Sequence, residues 1–268
     1  MNTINFNKIV GNHDILFIVL DTLRYDVANI ALSHNLTPNM ANYIVEKKWQ
    51  KRHSPATFTY PAHHAFFAGF LPTPINPNRH SRLFASEFMG SETTCETTWL
   101  FKQANVIDAF AVRGYHTSCI GGVGFFNKQN AIGSVFPNLF VESHWQPSTG
   151  VACKDSTENQ VMIALASLQQ LPAEQRLFSF INISALHQPN YFYLDSTEEK
   201  QDSIESQIAA LAYVDSQLGR LFSAMKQRAP TFCILCADHG TCYGEDGYYG
   251  HKVAHEVVLT VPYAHFFL

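Results

Sequence analysis

Three apolar runs in the sequence are each followed by a residue that can bind a metal ion. Asp21 follows the run ILFIVL, and His187 lies just beyond FSFINIS. Asp238 and His239 follow FCILCA. Near-continuous hydrophobicity is typical of parallel strands covered on both faces, and the carboxyl ends of such strands meet at one edge of the sheet. We therefore expect these side chains to converge on one site.

Carboxylates combined with imidazoles form a ligand set that suits a divalent metal, zinc first and manganese as the alternative. Each residue alone has an ordinary explanation. Asp21 could be the N-cap of a helix, Asp238 could belong to a turn before Gly240, and His187 could be a packed core histidine. The metal centre is favoured because all of these ligand types are expected at the same edge.

A hydroxyl that could act as a nucleophile lies in the segment HSPATFTYPAHHAFFAGFLP. Pro61 favours the first turn of a helix, and Gly69 is suited to a left-handed cap at its end. Thr59 would then lie at the helix N-terminus, where N–H groups and the helix dipole favour an anion. Beside a divalent cation such a hydroxyl can ionise and attack phosphorus. The alternative is that Thr57 or Thr59 only caps the helix.

The elements that position these residues follow the alternating pattern of βαβ units. Strands are predicted at Asp14–Leu20, His116–Gly121, Leu177–Ser184, Thr231–Ala237 and within Val257–Leu268. Helices are predicted at Thr37–Lys48, Glu96–Val112, Ser156–Gln170 and Ile204–Gln227, with long loops at Leu71–Arg82 and Gly240–Gly250. We expect one α/β domain over residues 1–268, with a mostly parallel central sheet flanked by helices on both faces.

Composition limits the classes of protein to which the chain can belong. Apolar residues make up 46% and charged residues 15% of the 268 residues, which is typical of a globular domain rather than a disordered chain. The net charge of -4 argues against a nucleic-acid partner. The first residues lack a secretory pattern, and the apolar runs are too short to span a bilayer. We expect a cytoplasmic protein with no membrane partner.

Several segments, taken in order, resemble the landmarks of one enzyme superfamily. They are FIVLDTLRYD, TYPAHHAFFAGFLP, LAYVDSQLGRL, ADHGTCYGEDGYYGHK and a late VPY. Together they resemble sulfatases, phosphodiesterases and related alkaline-phosphatase-like enzymes over residues 13 to 264. The resemblance implies an alkaline-phosphatase-like core that lacks the separate C-terminal subdomain of typical sulfatases.

By this resemblance the metal ligands are Asp21, Thr59, Asp238 and His239, and Thr59 is the nucleophile. Sulfatases carry Cys-x-Pro-x-Arg, whose cysteine becomes formylglycine, whereas this chain has Thr59 in place of the cysteine and His63 in place of the arginine. The substitution favours phosphate-type esters over sulfate esters. His63 then becomes a candidate for substrate binding.

The resemblance also implies roles for residues outside the metal centre. His187 and His251 resemble the histidines that related enzymes use for substrate contact or for a second metal. Arg24 and Lys252 are candidates for binding phosphate, the alternative being solvated charges. Asp215 matches a landmark as well, but its position within a predicted helix favours a structural role.

These observations predict a metal-dependent hydrolase of phosphodiesters or phosphomonoesters that acts through a threonine nucleophile on a small-molecule phosphate-type ester. A transferase would use the same residues and differ only in its acceptor. The sequence is also compatible with a sulfatase-like hydrolase and with a non-catalytic metal-binding module.

Overall fold

The computed structural model describes residues 4–71, 84–85, 99–100, 105–194 and 200–268. Most of the predicted loop Leu71–Arg82 and the first part of the predicted helix Glu96–Val112 lie outside the described residues. None of the helices within the described ranges is long and apolar enough to cross a membrane.

The strands form one large sheet and two small ones. They are β1 Asp14–Leu20, β2 Gln50–His53, β3 Phe84–Ala85, β4 Trp99–Leu100, β5 His116–Ile120, β6 Glu142–His144, β7 Leu177–Ile183, β8 Thr231–Cys236, β9 Cys242–Tyr243, β10 Tyr249–Gly250 and β11 Thr260–Phe267. The large sheet has seven strands in the order β2-β11-β8-β1-β7-β5-β6. Adjacent strands in this sheet are parallel, except that β11 is antiparallel to both β8 and β2. β1 therefore lies between β8 and β7, so the strand ends predicted to carry ligands are adjacent.

Helices cover both faces of this sheet, as the sequence predicts. They are α1 Phe6–Ile9, α2 Tyr25–Ser33, α3 Pro38–Ala41, α4 Thr59–Ala68, α5 Val106–Val112, α6 Ala131–Ser134, α7 Ser156–Gln170, α8 Ile204–Arg228 and α9 Glu256–Leu259. β1 contributes to the core on each face, because Leu16 packs in the cluster that includes α2, α7 and α8, while Ile15 packs in the cluster that includes α4 and α5. Each such buried side chain contributes about 1.5–3 kcal/mol. The fold is the α/β domain with a mostly parallel central sheet that the sequence predicts.

The prediction of a helix over Thr37–Lys48 is wrong. Helix α3 ends at Ala41, and the chain then passes through a short 3₁₀ turn in which Glu46 and Lys47 have φ of 56° and 47°. A left-handed backbone cannot continue an α-helix. The polar edge strands β2 and β6 are also absent from the sequence prediction, because neither has an apolar run.

Asp215 is a structural anchor, as the sequence favours. Its buried carboxylate on α8 accepts the backbone N–H groups of Asn39 and Met40 at 3.0 and 2.8 Å and the Asn39 side-chain amide at 3.1 Å. Burial raises the pKa of this carboxyl, while the N–H groups oppose that shift. The first N–H groups of α3 find their acceptor here, so Asp215 ties α3 to α8.

We expect Asp215→Ala to lower the free energy of unfolding by about 3 kcal/mol, because it leaves buried N–H donors unpaired. Urea denaturation measures this change. The matched control is Ser216→Ala, at the exposed neighbouring position whose hydroxyl contacts the Tyr213 carbonyl and the side-chain amide of Gln217. Equal stability of the two variants would contradict the anchoring role.

Candidate metal centre

The carboxyl ends of β1 and β8 bring Asp21, Asp238 and His239 together. Each of these residues offers a ligand atom within 4.8 Å of the others, and all three side chains are buried. In the ranges that the structure describes, this is the one group of three or more such residues that could hold a metal ion. The predicted convergence of these strand ends is therefore present in the structure.

Backbone groups orient two of these ligands. Oδ1 of Asp238 accepts the N–H groups of Thr22 at 3.2 Å and His239 at 3.0 Å, which leaves its Oδ2 without a hydrogen-bond partner. Nδ1 of His239 lies 2.8 Å from the Gly240 carbonyl oxygen. Burial lowers the pKa of His239, so the neutral ring donates from Nδ1 and Nε2 keeps its lone pair. Metal-binding histidines typically donate their other ring N–H to a carbonyl or carboxylate in this way.

Gly240 is required by a close approach of two chain segments. A Cβ at this position would lie 2.0 Å from the carbonyl oxygen of Val257. The amide of Gly240 also donates to the Val258 carbonyl oxygen at 2.7 Å. The segment that carries Asp238 and His239 is thereby fixed against α9, and a larger residue at 240 would displace it.

The two carboxylates have an electrostatic reason to bind a cation. Oδ1 of Asp21 and Oδ2 of Asp238 are both buried without a hydrogen-bond partner. Burial, followed by repulsion from Asp238, raises the pKa of Asp21. Burial also raises the pKa of Asp238, to about 7. Two carboxylates with free oxygens beside a neutral imidazole fit the ligand preferences of zinc, and a cation would offset their repulsion.

Thr59 is the threonine that the fold brings to this cluster. It is the first residue of α4, and its Oγ1 lies 3.3 Å from Nε2 of His239 and 3.5 Å from Oδ2 of Asp21. The N-cap position is Phe58, and no side chain caps the helix there. The Thr59 hydroxyl therefore faces the metal ligands instead of capping α4. Gly69 ends the helix with φ of 79°, as predicted.

His187 and His251 form a second layer beside the cluster. Their rings are 5.5 Å apart, and the ring of His251 is 4.6 Å from that of His239. Both side chains are half-buried. Nδ1 of His187 lies 2.6 Å from the Gln188 carbonyl oxygen, which leaves Nε2 for another partner. Burial is the main cause that lowers the pKa of His251, to about 3.

Arg24 is occupied by protein partners. Its guanidinium donates to both oxygens of Asp26 at 2.9 and 2.6 Å, to Glu245, and to the Thr241 carbonyl oxygen at 3.3 Å. The residue is 2% exposed. This arrangement ties the turn after β9 to the end of β1. The geometry gives no support to the prediction that Arg24 contacts phosphate.

His63 lies behind the nucleophile segment instead of beside a substrate. It is fully buried one helical turn after Thr59, and its Nδ1 lies 2.8 Å from the Thr59 carbonyl oxygen. The aromatic rings of Phe66, Phe126 and Phe180 surround it. Burial lowers its pKa to about 3, so the neutral ring donates to that carbonyl. The predicted substrate contact of His63 would require exposure that this position lacks.

Lys252 is the predicted phosphate-binding residue that remains exposed near Thr59. Its Nζ lies 5.5 Å from the centroid of the Phe58 ring, and its backbone N–H donates to the Thr57 carbonyl oxygen at 2.9 Å. The segment after His251 is thus held against the residues that precede the nucleophile. A role in binding an anionic substrate stays a prediction for Lys252.

We expect one tightly bound metal ion per chain, with a second appearing only at high metal concentration. The family resemblance implies that a second metal would need a carboxylate four residues before His187, where this chain has Ile183. The acidic residues near His251 in sequence do not replace it. Glu245 pairs with Arg24, Asp246 with His255 at 3.1 Å, and Glu256 with Lys51 at 3.2 Å.

Metal analysis after gel filtration measures this stoichiometry. Imidazole ligands carry no negative charge, so they do little to offset repulsion between two cations about 4 Å apart. The second ion should therefore be lost during filtration. The expectation would be contradicted if each chain retained two ions and the His187→Ala variant retained only one.

Comparisons with known proteins give a family match and several similar structures. A sulfatase family model matches residues 13–262. A search of curated protein sequences gives no match. Among solved structures, the soluble domain of lipooligosaccharide phosphoethanolamine transferase A from Neisseria meningitidis is 15% identical, with a TM-score of 0.68 over 96% of this chain and 77% of that chain.

Two further structures are similar. The C-terminal periplasmic domain of phosphoethanolamine transferase EptC from Campylobacter jejuni has a TM-score of 0.65 at 15% identity, over 96% of this chain and 79% of that chain. The periplasmic domain of EcEptC from Escherichia coli, in complex with zinc, has a TM-score of 0.64 at 11% identity, over 95% of this chain and 72% of that chain. At these low sequence identities, the structural similarity establishes the fold alone.

Proposed function

The chain belongs to the sulfatase family of alkaline-phosphatase-like enzymes, and from this premise we propose that it moves the phospho group of a phosphate-type ester through Thr59. The observation that carries the proposal is the position of Thr59 Oγ1 at the start of α4, 3.3 Å from His239 Nε2 and 3.5 Å from Asp21 Oδ2. A hydroxyl beside a divalent cation and a helix N-terminus can form an anion and attack phosphorus.

Asp21, Asp238, His239 and Thr59 would hold the ion, most simply zinc. When bound, it supplies Lewis-acid stabilisation of the negative charge on the reacting oxygens. The protein contributes the alignment of Thr59, because the first turn of α4 and the His63 hydrogen bond fix its backbone. The N-terminus of α4 also favours the developing negative charge through the helix dipole.

The proposed reaction has two steps. The Thr59 hydroxyl gives up its proton to solvent water, and Oγ1 bonds to phosphorus as the bond between phosphorus and the leaving oxygen breaks. His187 or His251 orients the leaving oxygen, which takes a proton from solvent water and is released as an alcohol. An acceptor hydroxyl then attacks the phosphothreonine, loses its proton and takes the phospho group, and Thr59 regains its hydroxyl.

The acceptor distinguishes a transferase from a hydrolase. The sequence favours hydrolysis, but the similar solved structures from Neisseria meningitidis and Campylobacter jejuni are phosphoethanolamine transferases. We therefore favour transfer to an alcohol, with water as the alternative acceptor. Those relatives are soluble or periplasmic domains, and the cytoplasmic location expected from the sequence stays a prediction.

A panel of aryl phosphate, phosphodiester, phosphonate and sulfate esters, each assayed in water and with added alcohols, tests the proposal. We expect phosphate-type esters to react and sulfate esters to react poorly. Attack of threonine on sulfur would leave a stable ester, whereas the formylglycine hydrate of sulfatases can expel sulfate by elimination. Alkyl phosphate products in the presence of alcohol indicate transfer, and inorganic or monoester phosphate alone indicates hydrolysis.

Two results would contradict the proposal. An aryl sulfate that reacts faster than the matching aryl phosphate would indicate a sulfatase in spite of Thr59. No turnover of any ester by zinc-loaded protein would favour a non-catalytic metal-binding module.

A further inference from the structure

We propose that Asn182 is a positioning residue that sets the orientation of the Asp21 carboxylate for metal binding. The inference rests on the proposed metal site, and it assigns a role to a strand residue outside the ligand set. Asn182 is fully buried on β7, beside β1 in the sheet. Its Nδ2 donates to Oδ2 of Asp21 at 2.9 Å.

The orientation of the Asn182 amide is itself fixed. Its Oδ1 accepts the backbone N–H of Val123 at 3.0 Å. Because a backbone N–H can only donate, the amide oxygen must face Val123, and the NH₂ group must face Asp21. The hydrogen bond to Asp21 is therefore specified by the loop that follows β5.

The backbone of Asn182 is held from two further sides. The side-chain amide of Gln160 on α7 donates to the Asn182 carbonyl oxygen at 2.6 Å and to that of Gly121 at 3.3 Å. A Cβ at Gly122 would lie 2.3 Å from the same Asn182 oxygen and 2.7 Å from Cβ of Ser184. The Gly121-Gly122 pair therefore lets the loop approach closely enough for Val123 to reach Asn182.

This support has a direct consequence for the carboxylate of Asp21. A carboxylate can rotate about its bond to Cβ, and a hydrogen bond to one oxygen restricts that rotation. Oδ2 of Asp21 accepts from Asn182 and faces Oγ1 of Thr59. Oδ1 of Asp21 has no hydrogen-bond partner, so its lone pairs are free to bind a metal ion. Loss of an outer partner of this kind typically weakens metal affinity about 10–100-fold.

The test is the zinc affinity of the full chain, measured by competition with a chromophoric chelator. We expect Asn182→Leu, which is similar in size but cannot donate, to raise the zinc Kd about 10–100-fold. Gly122→Ala should raise the Kd in the same direction, because the added methyl group displaces the Asn182 backbone. Asn39→Ala is the matched control, since Asn39 donates to Asp215 away from the site, and its Kd should equal that of the wild type.

Circular dichroism on each variant gives the folded fraction to which the affinity is normalised. If Asn182→Leu does not fold, Asn182→Ser replaces it, because its side chain is too short to reach Asp21. Wild-type affinity in a folded Asn182 variant would overturn the inference while leaving the metal site intact. A wild-type protein that binds no zinc would instead overturn the proposed function, and the inference with it.

Discussion

Replacing Thr59 with alanine should abolish turnover while leaving the fold intact. The loss should be about four orders of magnitude or more, because removing a covalent nucleophile eliminates the reaction path. Thr59 does not cap α4 through its side chain, so the cost in stability should stay within about 1 kcal/mol. Steady-state kinetics on the best ester of the panel, together with thermal denaturation, measure both quantities.

Two variants make this experiment specific. Thr59→Ser keeps the hydroxyl and should keep measurable activity, with the phospho group trapped on the serine after rapid quenching. Thr57→Ala is the matched control. The carbonyl oxygen of Thr57 accepts the backbone N–H of Lys252, and the substitution keeps this backbone group. Full activity of Thr59→Ala, or inactivity of Thr57→Ala alone, would show that the nucleophile is misassigned.

The sequence predicts both the central strands and the candidate metal ligands at their ends, because both follow from the burial of these strands on both faces. β1, β7 and β8 are buried on both faces, so their apolar runs are nearly continuous and their ends are visible. A polar residue directly after such a run must lie at the sheet edge. Asp21, Asp238 and His239 are found by that rule alone, and the structure places their ligand atoms within 4.8 Å of one another.

Residues whose role depends on a distant partner cannot be found in this way. Asn182 lies inside the apolar run of β7, where nothing in the local sequence indicates that Asp21 is its neighbour on β1. Arg24 is a cation near the site in sequence, but its partner Glu245 is 221 residues away. A signal was available for Asn182, since a polar residue within a fully buried strand needs a hydrogen-bonding partner.

His63 illustrates the limit of reasoning from residue type. Its place in the segment corresponds to an arginine of sulfatases, and that correspondence predicts a substrate contact. On helix α4, however, a residue four positions after Thr59 lies over the preceding turn, and here that direction leads into the aromatic core. The sequence defines the spacing, but the face of the helix that meets the substrate depends on how α4 packs against β1 and β7.

Replacing Asp238 with asparagine should remove zinc binding and, in the metal-free protein, increase stability. Metal loss follows because Oδ2 of Asp238 is a buried oxygen with no other partner, and asparagine neutralises one of the two carboxylates. The backbone N–H groups of Thr22 and His239 still find an acceptor in the asparagine oxygen. Local structure should therefore survive the substitution.

The gain in stability follows from the pKa of the buried pair. Burial raises the pKa of Asp238 from 3.8 to about 7, and burial together with Asp238 raises that of Asp21. The folded metal-free protein thus binds more protons than the unfolded chain, so its stability falls as pH rises from about 4 to about 7. Asp238→Asn removes that loss and should be more stable than the metal-free wild type by about 4 kcal/mol at pH 7.5, because each unit of pKa shift corresponds to about 1.4 kcal/mol.

Zinc should remove most of the difference in stability between the two proteins. At a zinc concentration about 100 times its Kd, the wild type gains about 2.7 kcal/mol, whereas Asp238→Asn gains little because it binds weakly. Urea denaturation at pH 5 and 7.5, with chelator and with zinc, gives the four comparisons that are needed. Leu235→Ala is a control that lowers stability by loss of buried volume on the same strand, and it should leave the zinc-dependent gain unchanged. A metal-free Asp238→Asn variant less stable than the wild type at pH 7.5, or one with the wild-type gain from zinc, would mean that Asp21 and Asp238 do not form a cation site.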